Sequence, residues 1–275
     1  MRIDAHLHFW KYCPKDYDWI DESMQIIAQD FLPADLKPHL DEQKIDGCVA
    51  VQARCETKEN DFLLELAKDN PFVKGVVGWL DLAASDLDEQ LAIYKDEEKF
   101  VGIREILQGQ EPEFMLRKEF LKGVEKLHAH DLTYDILIFP KHLDATIEFV
   151  KHFPEHKLVI DHIAKPNISA TGLDSEWADK IAELATHKNV SCKLSGMVTE
   201  CQTAWNKNDF LPFGQHVLKV FGADRLLFGS DWPVCKLMAT YQEVCSIAEF
   251  CCSSLSAEDQ AKVFGLNAQK FYSLK

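Results

Sequence analysis

Residues 157–164 read Lys-Leu-Val-Ile-Asp-His-Ile-Ala, and residues 225–231 read Arg-Leu-Leu-Phe-Gly-Ser-Asp. Each is a short, nearly continuous apolar run that ends on ionisable groups. A half-buried strand alternates apolar and polar residues, whereas a strand buried on both faces, as in a parallel sheet, does not. Six more runs have this character, at 2–8, 46–53, 72–82, 100–107, 132–139 and 190–196. Amphipathic stretches separate them. Residues 113–130 place Phe114, Leu121, Val124 and Leu127 on one helical stripe. Residues 175–187 and 239–253 behave alike, and Ser256 opens a capping signal for the last helix. Strand–helix alternation repeated eight times predicts an α/β fold, a (β/α)8 barrel in a single domain spanning 1–275. An open doubly wound sheet is the rival; no GxGxxG follows the first run, which counts against its dinucleotide-binding form.

Composition agrees with one domain. The chain has 275 residues, 47% hydrophobic and 27% charged, and one α/β barrel commonly takes about 250. No apolar run approaches the roughly 20 residues of a membrane span, and the first residues lack the apolar core of a signal peptide. A net charge of −15 argues against nucleic acid and against an anionic membrane surface. The nine cysteines include no CxxC pair, so a reducing, cytoplasmic setting without disulfides is expected. Whether the chain forms homo-oligomers is not legible.

The chemistry gathers at the ends of the runs, where barrel enzymes place their sites. In Ile3-Asp4-Ala5-His6-Leu7-His8, strand alternation puts His6 and His8 on one face, about 6–7 Å apart along the backbone, so both can reach one metal ion. In the sixth run Asp161 and His162 are neighbours that should face opposite ways, and His162 is the one expected in the pocket. Asp231, at the tip of the last run, lies beside the first run once a barrel closes. Each residue alone has a plain structural reading: loop polarity, a satisfied histidine, a turn acid. Three strand ends that acquire ligand-type residues together are more specific than any one.

Arg104, ending the fourth run, is expected either to grip substrate or to pair with Glu105 or a loop acid. Lys193, between Cys192 and Leu194, is expected to point into the pocket. Trp10 and Trp232 are candidates to wall a bound ring, with core packing equally open to them. Tyr12 and Glu200 are weaker candidates. The remaining histidines fall in helical runs or connections and read as solvated or structural. No GxSxG elbow is present, which disfavours a serine esterase.

The segments Asp-Ala-His-Leu-His-Phe-Trp, Val-Gly-Ile-Arg, Val-Ile-Asp-His-Ile-Ala-Lys-Pro, Cys-Lys-Leu-Ser-Gly-Met and Phe-Gly-Ser-Asp-Trp-Pro-Val resemble the lactonase branch of the amidohydrolase superfamily. The likeness runs in order along essentially the whole chain, and residues 192–201 and 228–235 look most like its L-fuconolactone type. The resemblance implies hydrolysis of a sugar lactone. Asp231 would be the general base on a water and would then deliver the proton to the ring oxygen. His6, His8 and His162 would polarise the carbonyl, directly or through one divalent ion held with Asp231: zinc or manganese, or no metal. Binuclear relatives carry a Lys on strand four and a His on strand five. Here strand four offers Arg104 and the fifth run has no His, so a second metal lacks its usual ligands. The alternatives are dicarboxylate-lactone hydrolysis, metal-dependent decarboxylation, or a non-catalytic metal- or sugar-binding barrel. A dicarboxylate reader should carry several loop cations, and this chain offers mainly Arg54, Arg104, Lys165 and Lys193.

Overall fold

The computed structural model describes residues 1–169, 172–201 and 204–275. Eight parallel strands form one sheet in sequence order: β1 Ile3–Leu7, β2 Gly47–Val51, β3 Val73–Gly78, β4 Phe100–Glu105, β5 Thr133–Ile136, β6 Leu158–Ile160, β7 Val190–Leu194 and β8 Leu226–Phe228. All eight lie within the predicted runs. Each is shorter than its run, because the last residues of every run leave the ladder to form the rim. The sheet closes just beyond β8, where Leu7 bridges Trp232 in parallel. Two backbone hydrogen bonds make this seam: Asp231 N–H donates to His6 O at 2.8 Å and His8 N–H donates to Trp232 O at 2.7 Å. The fold is the expected (β/α)8 barrel.

Helices follow the strands: α1 Pro33–Glu42, α2 Thr57–Asp69, α3 Leu87–Tyr94, α4 Lys118–Ala129, α5 Leu143–Lys151, α6 Ser175–Ala185, α7 Lys207–Phe221 and α8 Tyr241–Cys251. The expected single helix over 113–130 is two pieces. A 3-10 turn at Pro112–Leu116 precedes α4, and Arg117 between them is extended. The apolar stripe is helical from Leu121 onward, while Phe114 packs from the turn. Ser256 caps α9 Ala257–Ala261 by accepting from Asp259 N–H. A π-turn at Lys262–Leu266 and α10 Asn267–Phe271 follow, and Tyr272 inserts from the chain's end into the barrel's buried interior. All nine cysteines are free thiols. No helix of the described residues is long and apolar enough to cross a membrane.

The loop after β2 is tied down by a buried acid. Glu59, in the first turn of α2, accepts from the amides of Ala53 and Arg54 at 3.0 Å each through one oxygen, and its other oxygen has no hydrogen-bond partner among the described residues. Burial pushes its carboxyl up to about 7 from an ordinary 4.5. The folded state therefore keeps a proton that the unfolded chain loses first. The stability this group contributes is full below pH 4.5 and is lost as pH rises through about 7. Glu59→Gln removes this dependence while keeping an oxygen for the two amides. Denaturant titrations of both proteins at pH 5 and pH 8 should show wild type losing on the order of 3 kcal/mol relative to the variant.

Candidate active site

His6 is the only member of the cluster inside a strand, and its imidazole is fully buried. His8 follows one residue after β1 ends, and Asp231 lies in the turn beyond β8. His162 sits in an unusual turn: His162, Ile163, Ala164 and Lys165 all have positive φ, between 49° and 61°. Left-handed backbone costs an L-residue roughly 1–2 kcal/mol, so the surroundings must hold the turn. Trp177 Nε1 donates to Ile163 O at 3.0 Å, and Lys165 N–H donates to His162 O at 2.8 Å. Gly196, across the turn, leaves the space that the His162 ring occupies.

The four side chains converge on one point. Asp231 Oδ1 is 3.3 Å from His8 Nε2 and 3.9 Å from Nε2 of both His6 and His162. The second nitrogens are held from behind. His8 Nδ1 donates to Val51 O at 2.8 Å, and His162 Nδ1 pairs with Ser195 Oγ at 2.9 Å. The Val51 bond leaves Nε2 of a neutral His8 as an electron-pair donor facing a carboxylate oxygen, with no proton between them. Two such donors belong together around a cation. The separations of 3.3 to 3.9 Å are shorter than twice a metal–nitrogen bond of about 2.0–2.1 Å. The set His6, His8 and Asp231 therefore fits one divalent ion, with His162 Nε2 alongside at 3.9 Å from Asp231 and with outer partners of the kind that ligating histidines need. Burial lowers the affinity of His6 and His162 for protons well below the ordinary 6.5, and for His6 the Lys193 ammonium adds to this. Neutral imidazole is the ligating form. For Asp231, burial works upward, but the charge of His162 and a hydrogen bond from His8, when those rings are protonated, outweigh it and hold the carboxyl below 3.8.

Strand alternation misled on Asp161. Strand β6 stops at Ile160, the backbone turns, and Asp161 points inward together with His162. Its Oδ1 is 3.3 Å from His6 Nδ1 and 2.9 Å from Lys193 Nζ, and its Oδ2 is 3.2 Å from Arg104 Nη1. Arg104 also donates to Gln52 Oε1 at 2.9 Å and to Gln52 O. Its acid partner is thus Asp161, in the turn after β6, and not the adjacent Glu105.

A cavity of about 760 Å³ opens over this cluster. His8, Arg104, His162 and Asp231 line it with Trp19, Arg54, Gln108 and Lys165. That size suits a small ligand. Three other expectations need correction. Lys193 does point into the barrel, but fully buried beneath His6, bonded to Asp135 at 2.5 Å, where the cavity does not reach. Trp10 and Trp232 are buried in an aromatic cluster with Phe31, and the indole on the cavity wall is Trp19. Sequence offered a weak signal for Trp19: it lies in the irregular stretch 9–31, the rim of the first loop. Tyr12 stays outside the cavity lining, and Glu200 pairs with Lys165 at 3.7 Å near the mouth.

Comparison with known proteins places the chain in a family. The family described as amidohydrolase matches residues 3–274. An L-fucono-1,5-lactonase of Burkholderia multivorans is 39% identical over 288 residues, covering 100% of this chain and 96% of that one. An L-fucono-1,5-lactonase of Burkholderia ambifaria is 38% identical over 277 residues, covering 99% and 95%. A crystal structure of an amidohydrolase from Burkholderia multivorans with bound zinc is 40% identical, matches 100% of both chains and superposes with a TM-score of 0.95. With its site at the carboxyl ends of a closed parallel barrel, this chain belongs to the amidohydrolase family.

Proposed function

We propose that the chain is a hydrolase that opens a sugar lactone, L-fucono-1,5-lactone in the first place, to the aldonic acid. The observation that carries this is the Asp231 carboxylate, ionised and within 3.3–3.9 Å of three imidazoles, on the floor of a ligand-sized cavity. Support for the substrate comes from the two full-length relatives named L-fucono-1,5-lactonase.

Asp231 takes a proton from water as the water attacks the lactone carbonyl. The carbonyl–ring-oxygen bond then breaks, and the proton passes from Asp231 to the leaving oxygen. A lactone is an activated ester, so a carboxylate base of modest strength suffices. A divalent ion held by His6, His8, His162 and Asp231, zinc first among candidates given the zinc-bound relative, would polarise the carbonyl and stabilise the charge that develops on it. Trp19 offers an indole face to the C–H side of the sugar, and Gln108 and Arg54 offer hydrogen bonds to its hydroxyls.

The cavity favours a neutral polyol over a dicarboxylate. Its three lining cations each have an acid partner: Arg54 with Asp16 at 3.2 Å, Arg104 with Asp161 at 3.2 Å and Lys165 with Glu200 at 3.7 Å. Four lining carboxylates, Asp16, Asp18, Glu105 and Asp231, outnumber them. Proton release by purified protein on L-fuconolactone, L-rhamnonolactone, D-gluconolactone and 2-pyrone-4,6-dicarboxylate tests this. Rapid opening of L-fuconolactone, with little on the pyrone dicarboxylate, is the expected result. No turnover on any lactone overturns the reading.

A further inference from the structure

His6 faces rival claims on one ring nitrogen. Lys193 Nζ stands 3.0 Å from Nδ1 and Asp161 Oδ1 stands 3.3 Å from the same atom. An ammonium only donates and an ionised carboxylate only accepts, so the two demand opposite tautomers. The other nitrogen decides between them. Arg104 Nη1 lies 3.3 Å from Nε2, and a guanidinium has no acceptor to offer. Nε2 therefore carries the lone pair and Nδ1 the proton. A proton there faces Asp161 Oδ1 at 3.3 Å, a buried oxygen with no hydrogen-bond partner among the described residues, while the Lys193 ammonium keeps its ion pairs with Asp135 at 2.5 Å and Asp161 at 2.9 Å. His6, Asp135, Asp161 and Lys193 are all 0% exposed, so bulk water does not compete for these bonds. His8 and His162 differ in having a backbone carbonyl and a serine hydroxyl behind them.

We propose that Asp161, clamped between Lys193 and Arg104, is a positioning residue that fixes His6 in its Nδ1–H tautomer and so presents the Nε2 electron pair beside Asp231. Lys193 supplies the counter-charge and, without Asp161, would impose the opposite tautomer. A bound ion takes the same Nε2 lone pair and leaves Arg104 on Asp161 and Gln52. The value of this for the reaction rests on the role given to His6 above; the tautomer itself does not.

The test is nitrogen NMR of the full chain carrying labelled histidine, with His6 assigned by its loss in His6→Asn. Wild type is expected to hold the proton on Nδ1. In Asp161→Asn it moves to Nε2, and zinc affinity, read by competition with a chelating dye, falls about 10–100-fold. The double variant Asp161→Asn with Lys193→Met separates this from general damage. Methionine cannot donate and the new carboxamide oxygen still accepts, so the Nδ1 proton returns and zinc affinity recovers about tenfold over the single variant, within that same outer-partner range. A purely structural role makes the double variant worse than the single one and overturns the proposal. Lys193→Met alone keeps the Nδ1 proton, which decides the matter if Asp161→Asn does not fold. An unchanged tautomer in Asp161→Asn, or an Nε2 proton in Lys193→Met, also overturns it. A protein that shows the shift but opens no lactone supports the role of Asp161 and overturns the lactonase reading.

Discussion

Asp231→Asn is expected to lower kcat/KM for the lactone by on the order of 10²–10⁴-fold, the usual worth of a positioned general base. That is about 3–5.5 kcal/mol of barrier. The carboxamide keeps the shape and keeps an oxygen near His8, where Asp231 Oδ1 stands at 3.3 Å, but it cannot take a proton from water. The backbone contribution of residue 231 to the seam, its N–H on His6 O, is unchanged by the substitution. Folding should therefore persist while turnover goes. Proton-release kinetics beside circular dichroism of the same samples checks both halves. A variant that keeps more than a tenth of wild-type kcat/KM would remove Asp231 from the base role. A non-catalytic sugar-binding barrel predicts no turnover in either protein.

The second large effect is expected from a residue that touches no substrate. Gly196→Ala should cost at least 100-fold in kcat/KM, because a misplaced catalytic group commonly loses that much. A Cβ on Gly196 would stand 2.3 Å from His162 Nδ1 and 2.5 Å from its Cγ, so the ring must move and break its 2.9 Å contact with Ser195 Oγ. The φ of +63° at Gly196 adds backbone strain, roughly 1–2 kcal/mol. Gly222→Ala is the control. Its φ is +70° and nothing lies within 4 Å of the added methyl, so it should lose stability by strain alone and keep its activity. Thermal melts and lactone kinetics on the two variants separate strain from displacement. Equal activity in both would mean that the position of His162 is unimportant.

The barrel was legible because strands buried on both faces have almost no choice of composition, and all eight lie where the apolar runs are. His6, His8, His162 and Asp231 could be proposed together because ionisable residues at strand ends are anomalous unless used, and the structure brings their side chains together. Three things were not legible. Alternation says whether a side chain points into a barrel, but not how deep it lies. Lys193 points inward as expected, yet two carboxylates hold it below the floor. Alternation also assumes that the strand continues. At Ile160 it stops, so Asp161 and His162 enter together through a left-handed turn that no local propensity of Asp-His-Ile-Ala would suggest. The indoles show a third limit. Trp10 and Trp232 lie within two residues of His8 and Asp231 in sequence but fill the core behind them, while Trp19 reaches the wall from a loop.

The closure of the barrel has a consequence for how the protein comes apart. Strands β1 and β8 meet through the backbone of His6, His8, Asp231 and Trp232, so the staves are joined at three of the residues proposed to do the chemistry. Any fluctuation that parts this joint separates Asp231 from His6 and His8 before a helix has melted. In hydrogen exchange, the amides of His8 and Asp231 then report the lifetime of the assembled centre, and inactivation on heating should follow their exposure rather than the loss of helical signal.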